Sequence, residues 1–322
     1  MSDETLILRE PLLPIYRYQF QFTRPKALKL PQYAGSAWRG AFGHALKRTV
    51  CVVRNTPCAE CMLKSTCAYS YIFETPPPAN SGKMRKYNAS PHPFVLQFPD
   101  TESQDSDFYI INLLVFGHGQ RFFPYMVHAL QRAGREGIGS SRQVFELQQI
   151  KQMLVNDEEI VVFKEDKLIS SQTDRLTPLV AMPSGIEINI QSPIRIKQNG
   201  KNLNPQNFNF GGFFGNLIRR ISMLTYFHTD TPLEIDFASL TRQAKETSFN
   251  TQNLQWYDWT RYSSRQKTEM KMGGVVGTLG LDLKNNAQFW PYLWLGQWTH
   301  VGKATSMGLG HYSLKATSLS DK

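Results

Sequence analysis

Two stretches alternate apolar and polar residues in the manner of half-buried strands, IYRYQFQFTRP from Ile15 and GIEINIQSPIRIK from Gly185. Each leads into a helical segment with a shared signature. GAFGHALKR from Gly40 and GFFGNLIRR from Gly212 both fit G-x-F-G-x-x-[LI]-[KR]-R. The two halves also close alike. FFPY from Phe122 and FWPY from Phe289 each predict a helix start, because proline is tolerated where a first-turn N–H has no partner to lose. Each is followed by a glycine-rich turn (GREGIGSSR from Gly134, GKATSMGLG from Gly302) and a closing strand (QVFELQQ, HYSLKA). Between these ends lie the strand pairs PFVLQF with DFYIINLLVF, and QWYDWTRYSSRQ with KMGGVVGTLGLDL.

The order is β-α-β-β-α-β twice, so the expected fold is α+β with two tandem ferredoxin-like domains, residues 1–178 and 179–322. On the first helix, Trp38, Ala41, Phe42, Ala45, Leu46 and Thr49 share one stripe that should pack on the sheet. His44, Lys47 and Arg48 fall on the other side at i, i+3 and i+4. The second copy has Asn216 where the first has His44, so the imidazole is no part of the shared scaffold.

With 322 residues, 41% hydrophobic and 19% charged, the chain can bury a substantial core and is not a disordered basic tail. No apolar run approaches the roughly 18–20 residues of a membrane span, and the first residues lack the basic start of a secretory signal, so a cytoplasmic protein is expected. The formal net charge of +10 is uneven. Between Arg24 and Lys86 stand eleven basic residues, Arg39, Lys47 and Arg48 among them, against Glu60 and Glu74. Such a concentration is the footprint of a polyanion binder, although a solvated basic face would look the same.

Cys51, Cys58, Cys61 and Cys67 are the only cysteines, spaced C-x6-C-x2-C-x5-C in an insertion of about residues 51–92. Four thiolates so spaced predict a structural zinc site, closed to water and therefore not catalytic; an iron–sulfur cluster or free thiols are the rivals. Arg54 and Lys64, then Lys83, Arg85 and Lys86, would extend a basic surface from it. In the second half, Tyr257, Trp259, Arg261, Tyr262, Arg265 and Lys267 interleave aromatics with cations, as a surface that stacks bases and grips phosphates does. Packing is the expected role of the tryptophans. Gly302, Lys303, Gly308 and Gly310 belong to the last glycine turn, whose backbone N–H groups could cradle a phosphate; the alternative is a turn that only closes the sheet. No Walker, H-E-x-x-H or Ser-His-Asp pattern is visible.

YAGSAWRGAFGHALKR, RYSSRQ, KMGGVVG and the terminal HVGKATSMGLGHY resemble the CRISPR-associated RAMP endoribonucleases that process precursor CRISPR RNA. The resemblance implies tandem ferredoxin-like domains, recognition of a CRISPR repeat RNA, a possible place in a CRISPR effector complex, and metal-independent cleavage. Such cleavage uses the ribose 2′-hydroxyl as nucleophile, needs a base, an acid and cations, and leaves a 2′,3′-cyclic phosphate and a 5′-hydroxyl. The family's pairing of a helix histidine with a tyrosine and a lysine points to His44, Tyr33 and Lys47, with His300 in reserve. Arg39, Arg48, Arg261, Arg265, Lys267, Gly302, Lys303, Gly308 and Gly310 are the expected RNA contacts. Two other readings stand beside cleavage: a non-cleaving repeat-RNA subunit, and a zinc-dependent interaction or DNA-binding module on an unrelated enzyme.

Overall fold

The computed structural model describes residues 13–31, 33–77, 90–99, 107–154, 158–169, 181–263 and 268–317. The alternating stretch at Ile15 forms β1 (Ile15–Thr23), which feeds α1 (Gly35–Val50). After the cysteine-bearing segment and a π-helical turn at Ser70–Glu74 come β2 (Phe94–Gln97), β3 (Phe108–Phe116), α2 (Phe123–Glu136) and β4 (Leu147–Met153). The sheet runs β2-β3-β1-β4, antiparallel throughout, and β5 (Glu159–Lys164) and β6 (Lys167–Leu168) extend it past β4.

The second half repeats the plan. Its sheet takes in β7 (Gly185–Ile194); the hairpin β8 (Lys197–Gln198) and β9 (Lys201–Asn202) then precedes α3 (Phe210–His228) and α4 (Phe237–Glu246). From β10 (Thr251–Tyr257) the chain passes through a separate hairpin, β11 (Thr260–Ser263) and β12 (Thr268–Lys271), to β13 (Gly274–Asp282), α5 (Trp290–Thr299) and β14 (Tyr312–Thr317). The order β10-β13-β7-β14 matches β2-β3-β1-β4 position for position, so the tandem ferredoxin-like expectation holds. The sequence reading does not contain α4, the β5–β6 extension or the β8–β9 hairpin.

Local chemistry explains the helix starts. α2 and α5 carry Pro124 and Pro291 in their first turns, as expected. Asn209 caps α3 by accepting from the Gly212 N–H at 2.8 Å, and Asp236 caps α4 by accepting from Ser239 at 2.9 Å.

One face of the first sheet presents Tyr18, Phe20 and Phe22 to Trp38, Phe42 and Leu46 of α1 and to Met126 and Leu130 of α2, all fully buried. Truncating Phe42 to alanine in such a core costs about 3–5 kcal/mol. On the other face, Ile15, Val95, Leu114 and Phe116 belong instead to the core of the second half, beside Ile188, Phe213 and Leu217. The two repeats thus share one apolar seam, which fixes the second half against the back of the first sheet.

Candidate nucleic-acid interface

The stripe on α1 buries Trp38, Phe42, Ala45 and Leu46 and turns His44 and Arg48 to solvent, with Lys47 half-buried between them. The Lys47 ammonium lies over the Tyr69 ring, 5.6 Å from its centroid. Arg48 reaches Glu136 at 3.0 Å, and the same carboxylate accepts from Arg132 at 2.7 Å. These two guanidiniums, Arg132 first, hold the Glu136 carboxyl below the usual range.

Tyr33 stands apart from this group. Its ring packs against Trp259 and Tyr257, at 5.1 and 5.6 Å between centroids. It precedes α1, on which Gly35 and His44 are nine residues apart, about 14 Å along the axis. The structure brings His44, Lys47 and Arg48 together but not Tyr33 with them.

Arg39 is committed inside the protein rather than offered to a ligand. It donates through Nε to Ser306 Oγ at 2.9 Å and through Nη2 to His92 Nε2 at 2.8 Å, and its guanidinium lies 4.4 Å from the Phe73 ring centroid. It therefore clamps α1 to the last glycine turn. Gly35 makes the same junction possible, because a Cβ there would collide with the Met307 carbonyl.

That turn corrects the phosphate-cradle expectation. The N–H of Gly302 donates to Asn216 Oδ1 at 2.9 Å, that of Lys303 to the Arg195 carbonyl at 3.0 Å, that of Gly308 to Thr305 at 2.9 Å and that of Gly310 to Pro193 at 3.1 Å. None of these four donors is left for an anion. The glycines serve backbone packing: Gly302, Gly308 and Gly310 have φ of +92°, +93° and +76°, each beside another strand's or loop's carbonyl. Asn216, the counterpart of His44, thus ties α3 to the turn.

What the turn does offer is the Lys303 side chain, exposed and held below its ordinary pKa by partial burial and by the neighbouring cations Lys197 and Arg195. A lysine crowded by like charges gains from a bound anion. His300 is excluded as a reserve base. It is fully buried, donates through Nδ1 to the Leu309 carbonyl at 3.0 Å, and is held neutral by burial.

In the second half, Trp259 packs as expected, in a cluster with Tyr33, Met272, Met307 and Leu309. Trp256 does not; it is 38% exposed on β10. Arg261 falls on β11, whereas Arg265 and Lys267, like Lys83, Arg85 and Lys86, lie outside the described residues.

The four thiols are not gathered into a metal shell. Among the described residues no group of three or more His, Cys, Asp or Glu side chains converges where an ion could sit. Cys51 donates its thiol hydrogen to the Val53 carbonyl at 3.3 Å, and Cys58 and Cys67 pack against the first core. Cys58 and Cys67 thus pack as small apolar groups, and nothing among the described residues supports the zinc site that the spacing predicts.

No curated protein matches the chain in sequence. Residues 13–174 match a family model described as an N-terminal domain, and residues 188–312 match that of the CRISPR-associated endoribonuclease Cas6. A Cas6 product complex shares the fold over 94% of this chain and 99% of that one, with a TM-score of 0.55 at 14% identity. Cas6 of Thermus thermophilus gives 0.53 at 14% identity over the same shares. A partial Cas6-RT-Cas1–Cas2 complex gives 0.56 at 16% identity over 96% of this chain and 47% of that one. The Cas6 match in the second half favours an RNA-processing protein over a zinc module on an unrelated enzyme. The second repeat thus matches the Cas6 endoribonuclease family, and the tandem fold across both repeats is the one that Cas6 structures have.

Proposed function

We propose that this protein cuts CRISPR repeat RNA at a site on α1, using His44 and Lys47 and no metal. The observation that carries the reading is an exposed imidazole with two cations within one helical turn, in the stretch Arg24–Lys86 that sets eleven basic residues against two acidic ones. His44 takes the proton of the 2′-hydroxyl, whose oxygen attacks the adjacent phosphorus. Lys47 neutralises the phosphorane and gives a proton to the departing 5′-oxygen. The products are a 2′,3′-cyclic phosphate and a 5′-hydroxyl, with no water consumed.

Tyr33 acts in this scheme with Trp259 and Tyr257 as an aromatic platform for an unpaired base, not as a proton carrier. Lys303, Lys197 and Arg195 hold backbone phosphates, as does Arg261. Four thiolates are a donor set suited to zinc, yet their arrangement does not support one, and no step is routed through a metal.

The test is to incubate the protein with CRISPR repeat transcripts in EDTA and map the ends. A discrete cut with a cyclic phosphate supports the reading; no cut, or a 5′-phosphate end, overturns it. A second reading, repeat-RNA binding without cleavage inside a larger assembly, draws on the likeness to the Cas6 part of a Cas6-RT-Cas1–Cas2 complex. Tight binding with intact RNA in the same assay would select it.

A further inference from the structure

The C-terminal end of α1 forms an open depression of about 330 Å³ lined by Lys47, Arg48, Arg54, Arg132 and Cys51. It holds four cations drawn from three segments: α1, the turn after it, and α2. Lys47 and Arg48 alone would be unremarkable, since cations offset the partial negative charge at a helix C-terminus. Arg54 and Arg132 have no such reason to be there. Among the described residues the only ion-pair partner of these four is Glu136, which bridges Arg48 and Arg132 and leaves Lys47 and Arg54 without a carboxylate. The Cys51 thiol is turned to the Val53 carbonyl and does not supply the missing charge.

Four cations confined around one concavity repel one another and are stabilised by an anion larger than one carboxylate. Glu136 shows where such a group sits: one oxygen on Arg48 at 3.0 Å and the other on Arg132 at 2.7 Å, the two-pronged grip that guanidiniums also give phosphate. Arg48 follows His44 by one helical turn, about 6 Å.

We infer that this depression is a backbone-phosphate subsite for the RNA, holding a phosphate beside the one positioned at His44, with Arg54 and Arg132 as contacts and Glu136 as the competitor the phosphate displaces. The inference rests on the RNA-cleaving reading and adds to it where the strand continues past the cut. It also gives the segment after α1 a task that needs no metal, delivery of Arg54.

The experiment measures binding of a CRISPR repeat transcript to His44→Ala protein, so that the RNA stays intact, across a series of salt concentrations. Adding Arg54→Gln and Arg132→Gln should weaken binding about tenfold and reduce the salt slope by about 1, the loss of one or two phosphate contacts. Glu136→Gln should instead tighten binding several-fold, which a merely structural role for that carboxylate would not do. Unchanged affinity and slope in the arginine variant, or weaker binding in Glu136→Gln, overturns the subsite while leaving the cleavage reading intact. A parent that binds no repeat RNA overturns both.

Discussion

His44 and Arg39 lie five residues apart on one helix and have opposite fates, set by which side of α1 each occupies. His44 faces solvent and has no partner to hold it in a structural role among the described residues, so its removal should spare the fold. His44→Ala is expected to lower single-turnover cleavage about 10²–10⁴-fold, the usual worth of a general acid or base, while RNA affinity stays within a few-fold. Equal loss of affinity and rate would make it a binding residue. Arg39 instead joins Ser306, His92 and Phe73. Arg39→Lys keeps the charge but cannot reach both Ser306 and His92, and should cost about 1.5–3 kcal/mol in urea unfolding. The periodicity of α1 separated its buried stripe from its polar face, but it could not show that Arg39, on the edge between them, meets a turn more than 260 residues later.

At the scale of elements, the glycines sort into those required by packing and those that are not. Gly310 has φ +76° and a Cβ there would strike the Val301 carbonyl, so Gly310→Ala strains the backbone and displaces the join of the turn to β14. It should cost at least about 1–2 kcal/mol in urea unfolding. Gly40, in the exposed middle of α1, has nothing within 4 Å of where a Cβ would stand. Gly40→Ala should stabilise the protein by about 0.5–1 kcal/mol, seen as a higher urea midpoint. Each is simply one glycine of a glycine-bearing motif, GAFGHALKR or GKATSMGLG, and the motifs do not tell them apart. The strands and helices with strong periodicity or a proline start were legible: β1, β7, α1, α3 and the onsets of α2 and α5. The β5–β6 and β8–β9 hairpins and α4 were not, since the two-residue strands β6, β8 and β9, the six residues of β5 and a ten-residue, largely polar helix carry too little pattern. The cysteine spacing was equally legible, yet spacing specifies only which donors are available; the path of the chain decides whether they meet.

The whole molecule is held by a seam in which four histidines are kept neutral. His228 is buried, accepts from the Tyr71 hydroxyl at 2.9 Å and donates to the Pro91 carbonyl at 2.8 Å. His311 accepts from the Gln97 amide at 2.7 Å and stacks on His300, 4.9 Å between centroids. Burial, first of all, lowers His228 and His311 to about 4; burial and then Arg39 lower His92 to about 3; His300 falls in the same direction. Each folded pKa lies below the unfolded value of about 6.5, so the unfolded chain binds more protons between about pH 6.5 and 4 and stability is lost as pH falls through that window. The slope approaches about 1.4 kcal/mol per pH unit for each histidine. Urea midpoints at pH 7 and pH 5 should show the fall, and His228→Gln should flatten it by about one proton's worth; a pH-independent midpoint contradicts the seam. By itself the sequence determined the duplication, the tandem β-α-β-β-α-β order and the basic face of the first helix, because periodicity and repeated motifs are local properties of a chain. Only the tertiary structure decided that the glycine turn spends its N–H groups internally, that Arg39 and His300 face inward, that Tyr33 joins Trp259 rather than His44, and that Arg54 and Arg132 converge beside it. Those outcomes depend on contacts between residues far apart in sequence, and such contacts leave no period to read.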